Sequence, residues 1–139
     1  EAARLKGAVF QSGPVHRYFQ REWQQEAFKT REFLFDYVPS RLHMLGVHSA
    51  EEAFDVMPSL SLVDGELIDK PTPPMLLVGG AQDSQVPFSD FVLMLQHGSP
   101  KSAWVNPQGQ TMGRSATVKD DDIFRDVVVP WVRQRFATT

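Results

Sequence analysis

Short apolar runs alternate with longer mixed stretches along the chain. Leu5-Lys6-Gly7-Ala8-Val9-Phe10-Gln11 is too short for a helix and is closed by Gly13-Pro14, so it predicts a buried strand. His16 to Lys29 carries Tyr18, Phe19, Trp23 and Phe28, and Glu32 to Tyr37 carries Phe33, Leu34 and Phe35; both read as helical. Ser49 followed by Glu52 is a capping box, in which hydroxyl and carboxylate satisfy each other's orphan amides. A helix of about two turns, reaching Val56, is expected after it. Pro71, Pro73 and Pro74 then break the chain. Met75-Leu76-Leu77-Val78 is continuously apolar and ends at Gly79-Gly80, the pattern of a parallel strand covered on both faces. A helix is predicted from Phe88 to His97, with Phe91, Leu93 or Met94, and Leu95 on its apolar face and Gly98 as its stop. Ala103-Trp104-Val105 is another short strand. The last helix should begin at Asp120-Asp121-Asp122, where negative charge suits the positive helix end. Its stripe is Ile123, Val127, Val128, Trp131 and Val132, and Pro130 inside it should kink it.

The order strand, helical insert, strand, helix, strand, helix argues for a parallel sheet and an α/β fold. Three segments follow: residues 1–13 as a core strand, 14–70 as the helical insert, and 71–139 as the second part of the core. A sheet of three strands is thin and its edges are bare, so further strands are expected upstream. A start at Glu1 rather than Met gives the same expectation.

Composition narrows the chemistry. Among 139 residues there is no cysteine, which excludes a disulfide framework, a thiolate zinc site, an iron–sulfur cluster and a cysteine nucleophile within the chain. The net charge of −3 and the lack of a basic stretch argue against nucleic-acid or anionic-membrane binding. No apolar run approaches the roughly 18 residues of a membrane-spanning helix.

The sharpest chemical signal is Gly79-Gly80-Ala81-Gln82-Asp83-Ser84-Gln85-Val86-Pro87. An aspartate after the carboxyl end of a buried parallel strand lies where open α/β sheets place ligands. Asp83 is equally a turn residue that bonds to its own backbone, and the local pattern leaves both readings open. In a triad running serine, acid, histidine, Asp83 fits the acid slot, and the histidine should fall between Pro107 and Arg114. That loop holds no histidine. The four histidines are His16, His43, His48 and His97. His97 suits the negative end of a helix; His43 and His48 lack metal-ligand spacing; His16 is either a pocket residue or a helix start. Gly109-Gln110-Thr111-Met112-Gly113 resembles a nucleophile elbow with Thr for Ser, but a polar loop follows where the elbow needs a helix, so the match reads as chance. Neither G-x-S-x-G nor G-x-x-x-x-G-K-[ST] occurs. Trp23, Phe28, Phe33, Phe35, Tyr37, Met44, Phe54 and Met57 give the insert aromatic and thioether surface. Most of it should pack onto the sheet, and two or three of these residues should line a pocket for an apolar, aromatic ligand.

Several runs together resemble a known family: Pro74 to Pro87, His97-Gly98-Ser99-Pro100-Lys101, Ala103 to Pro107, Met112-Gly113-Arg114, Glu22-Trp23-Gln24, Glu32 to Asp36 and Val38-Pro39. The chain is similar to the α/β-hydrolases of the fermentation–respiration-switch esterase type. Within them it resembles the fungal polyketide-shortening hydrolases of the yellowish-green-pigment type, along nearly its whole length. The resemblance implies the carboxyl-terminal portion of a serine hydrolase with a helical cap insert, cytoplasmic and acting in pigment biosynthesis. Family members cleave a carbon–carbon bond of an aromatic polyketide and release an acyl fragment, with serine, aspartate and histidine and without metal or organic cofactor. Asp83 matches the family's acid. The family's Gly-His before Met-Gly-Arg is Gln110-Thr111 here, so Thr111 stands at the histidine position. A threonine hydroxyl has no useful basicity near neutral pH, and the chain as written is not expected to hydrolyse by the serine mechanism. His16 and Met112 are carried as candidate substrate contacts. The implied partners are an aromatic polyketide, the amino-terminal part of the hydrolase that would hold the nucleophile, and a second copy in a homodimer. Three origins fit this pattern: a piece of a hydrolase, a homologue that lost the histidine and now binds or cyclises a polyketide, and an inactivating substitution. A non-catalytic dimerisation module is the competing class.

Overall fold

The computed structural model describes residues 5–29, 36–109 and 119–137. Its elements are β1 (Ala8–Gln11), α1 (Arg21–Ala27), α2 (Tyr37–Leu45), α3 (Ala50–Val56), β2 (Met75–Gly80), α4 (Phe88–Gln96), β3 (Lys101–Asn106), α5 (Asp120–Ile123) and α6 (Val129–Ala137). Short 3-10 turns cover Arg17–Phe19 and Met57–Leu60, and a π turn covers Phe124–Val128.

The run that forms β2 has no polar side chain to keep in water, and it takes the middle of the sheet. The described strands lie in the order β1-β2-β3, and both pairings are parallel. Register sets Gln11 against Val78 and Gly80 against Asn106. Side chains alternate across a strand, so β2 serves two layers. Leu77 packs with Val15, Ile68, Phe91 and Met94 on one face. Leu76 and Val78 pack with Ile123 and Val128 on the other, where Val127, Trp131 and Val132 complete the expected stripe. The α/β class and the parallel sheet are therefore as the alternation of strands and helices implies.

Local signals hold in several places. Ser49 is extended (φ −140°, ψ 158°) and its Oγ accepts the Glu52 N–H at 3.2 Å. The Glu52 carboxylate takes the His48 amide at 3.0 Å, one residue before the expected one, and that bond holds its carboxyl below the usual range. Ser49→Ala should cost about 1 kcal/mol. A urea midpoint unchanged from wild type would show that this cap contributes nothing. Gly98, at φ +66°, stops α4; a Cβ there would meet the Ile68 carbonyl oxygen at 2.9 Å.

Other expectations are corrected. His16 to Lys29 is not one helix: Gln20 is extended (ψ 145°) and separates the 3-10 turn from α1. Residues 30–35, and with them most of the run from Glu32, lie outside the described residues. On α4 the core face is Phe91 and Met94, one helical turn apart, while Leu95 points outward and is 40% exposed. His97 does stand at the carboxyl end of α4, and its ring pairs with a carboxylate. Its Nδ1 meets Asp69 Oδ1 at 3.0 Å, which holds the Asp69 carboxyl below its usual range, and the Lys101 ammonium donates to the His97 and Ser99 carbonyls. Pro130 carries no N–H and crowds the carbonyl four residues back. The turn ahead of it widens: the Val129 N–H bonds to the Phe124 carbonyl, five residues away, which makes the π turn. No helix among the described residues is long and apolar enough to cross a membrane.

Candidate functional site

Where the chain leaves β1, a buried carboxylate takes hold of it. Asp90, on α4, has no solvent exposure. Its Oδ2 accepts the amides of Val15 (2.9 Å), His16 (3.0 Å) and Tyr18 (3.2 Å), and its Oδ1 accepts that of Arg17 (2.8 Å). The Val15 carbonyl in turn accepts the Leu62 N–H at 2.9 Å, which ties down the far end of the insert. Sequence reasoning missed Asp90. Its signal was there: an aspartate four residues before Met94 on the buried face of α4 needs partners.

This clamp places Pro14, Tyr18 and Phe19 beside a cleft of about 640 Å³. Its floor is Ser12 and Pro14 after β1, with Gln85 and Val86 after β2. Its walls come from the helical segment between β1 and β2, through Tyr37, Arg41, Met44, Met57 and Leu60, with Asp36 also on its lining. The cleft thus lies outside the carboxyl ends of parallel strands, the usual ligand crevice of such sheets, and its volume suits a small organic molecule. Of the eight aromatic and thioether residues singled out in the sequence, Tyr37, Met44 and Met57 line it, beside Tyr18 and Phe19. Phe28 packs instead against Phe54 and Tyr37, with ring centres 4.9 and 5.6 Å apart, and Trp23 lies under Arg17.

Asp83 makes a local turn and one bond to a residue distant in sequence. Its Oδ1 accepts the amides of Gln85 (2.9 Å) and Val86 (3.2 Å), which is the local turn. Its Oδ2 accepts the Ser12 hydroxyl at 3.0 Å, from 71 residues away in sequence. Ser12 reaches it from a left-handed backbone position, φ +45°, and its own amide continues the ladder to the Val78 carbonyl at 3.0 Å. The half-buried carboxylate therefore sits beside the cleft through a residue that lines it. A carboxylate has about four lone-pair directions, so one more partner fits.

His16 is not among the cleft-lining residues. It precedes the 3-10 turn, and its Nδ1 lies 2.8 Å from Ser61 Oγ, 3.4 Å from Gln20 Nε2 and 3.7 Å from Asp64 Oδ2. That is the helix-start alternative. Thr111 and Met112 lie outside the described residues.

The cleft also holds a phenol pair. Tyr18 and Tyr37 hydroxyls are 3.0 Å apart, and Tyr37 donates to Gln24 Oε1 at 3.3 Å; Gln24 is fully buried and its Nε2 donates to the Tyr18 carbonyl. Burial, then the bond to Tyr18, pushes the Tyr37 phenol above its ordinary range, with Arg41 opposing weakly. Tyr37 is a neutral donor near neutral pH and not a base. Among the described residues no three or more His, Asp or Glu side chains converge in a way that could hold a metal.

No protein-family model matches the chain, and no curated protein matches it significantly.

Proposed function

We propose that the chain is the carboxyl-terminal portion of a serine-type α/β-hydrolase of polyketide metabolism, with residues 14–70 as a cap over an aromatic, apolar ligand. The observation that carries this reading is the place of Asp83: after the carboxyl end of β2, bonded to Ser12 on the floor of the aromatic-lined cleft. In such an enzyme the acid orients a histidine and stabilises its charged form, and the histidine activates the serine for attack on an ester or a carbon–carbon bond next to a carbonyl. Asp83 would be that acid. Thr111 would stand where the base belongs, so hydrolysis by this chain is not expected. The serine and further strands would come from the rest of the hydrolase. The outer edge of β1 carries no partner strand among the described residues and would accept one.

One observation favours a second reading. The Asp83 carboxylate already accepts three hydrogen bonds, which makes a binding or cyclising protein without triad chemistry a coherent alternative. Thr111→His in the whole protein separates the two. If only the base is missing, hydrolysis of 1-naphthyl acetate should rise by about 100-fold or more. No gain, with folding and ligand binding intact, would overturn the damaged-triad reading and leave the binding protein.

A further inference from the structure

Arg41 is the anomaly of the cleft. Charged side chains held partly away from water normally find a carboxylate. Arg41 is half-buried on the cleft wall, yet no carboxylate pairs with it among the described residues. Its guanidinium lies 4.9 Å from the centre of the Tyr37 ring, one terminal nitrogen reaches the Met44 sulfur at 3.8 Å, and the side chain also bonds to the neutral Tyr37 phenol. Its Nε is buried without an acceptor. A thioether, a π face and one neutral hydroxyl are weak company for a planar fork of five donors.

We propose that the cleft binds a small aromatic carboxylate, its anion paired with Arg41 and its ring among Tyr18, Phe19, Tyr37 and Met57. The rest of the wall supports the choice of a monoanion. A phosphate, with nearly twice the charge, would want a second cation, and the other charged residue on the lining is Asp36, which would repel it. A carboxylate matches the fork geometry and one positive charge. Aromatic bodies suit a wall built from Tyr, Phe and Met, and the volume of about 640 Å³ takes a fused bicyclic ring with room to spare. The inference rests on the cleft being the ligand site of the proposed function; it does not need the cleft to catalyse.

The test is calorimetric titration of the whole protein with 2-naphthoate and with neutral 2-naphthylmethanol. Arg41→Gln should weaken naphthoate by about ten- to a hundredfold and leave the alcohol within about twofold. Arg41→Lys, which keeps the charge and loses the fork, should fall between. Leu60→Trp fills the cleft from an exposed position and should weaken both ligands. The proposal falls if naphthoate does not bind, if Arg41→Gln weakens both ligands alike or neither, or if Leu60→Trp changes nothing. Binding here with no gain from Thr111→His would sink the hydrolase reading alone.

Discussion

Asp90→Ala is expected to bring the protein to the edge of unfolding. The carboxylate is fully buried and is the acceptor for four successive amides, those of Val15, His16, Arg17 and Tyr18. Alanine removes the acceptor and leaves the donors in place. An unsatisfied buried donor costs about 1–3 kcal/mol, more when its partner was charged. Water entering the gap would relieve part of this, so the net loss should be about 4 kcal/mol or more. A domain of this size has only about 5–15 kcal/mol in all. Asp90→Asn keeps one acceptor oxygen but brings an NH2 group among donors, and should lose about half as much. Urea midpoints of the three proteins check this. A loss under about 1 kcal/mol for Asp90→Ala would mean that the clamp is not what holds the chain after β1. The consequence for the site is direct, since Tyr18 and Phe19 reach the cleft from the clamped turn.

Phe91→Ala should be the next most damaging change, at about 3–5 kcal/mol. Its ring is 6% exposed, stacks on Phe88 at 5.3 Å and 13°, and belongs to the core cluster with Leu77. It also presses on the end of β2: a Cβ on Gly79 would lie 2.6 Å from the Phe91 ring. Glycine at 79 is what lets the ring come that close, and Gly79→Ala should cost about 1–3 kcal/mol by overpacking. The two changes should couple. In the Phe91→Ala background the ring is gone, and Gly79→Ala should then cost about 0.5 kcal/mol or less. Strict additivity in the double-mutant cycle would show that the ring does not set the requirement for glycine. Because Gly79-Gly80 lead into the Asp83 loop, this packing also sets where the candidate acid emerges from the sheet.

Much of the fold was legible because it obeys local rules. The apolar run at 75–80, the Ser49–Glu52 cap, the Gly98 stop and the stripe from Ile123 to Val132 each follow from side-chain period or backbone chemistry over a few residues. The break at Gln20 was not legible, since nothing in its neighbours forbids a helix there. The candidate site was legible by half. Asp83 stood out by its position after a buried strand, and the local turn was one of the two readings left open for it.

What only the tertiary structure decided is what depends on partners far apart in sequence. Ser12 and Asp83 meet because parallel pairing of β1 with β2 brings their carboxyl ends together. Asp90 meets four amides on a turn that begins 75 residues earlier. Tyr37, Met44 and Met57 line the cleft while Phe28 and Phe54 pack away from it, although the sequence shows all of them alike as apolar positions of an insert. Short helices have no strong period of their own, so the angle at which each packs decides which side chains face a cavity. That Arg41 has no carboxylate partner among the described residues is invisible in the sequence, because partnering is a property of three-dimensional neighbours.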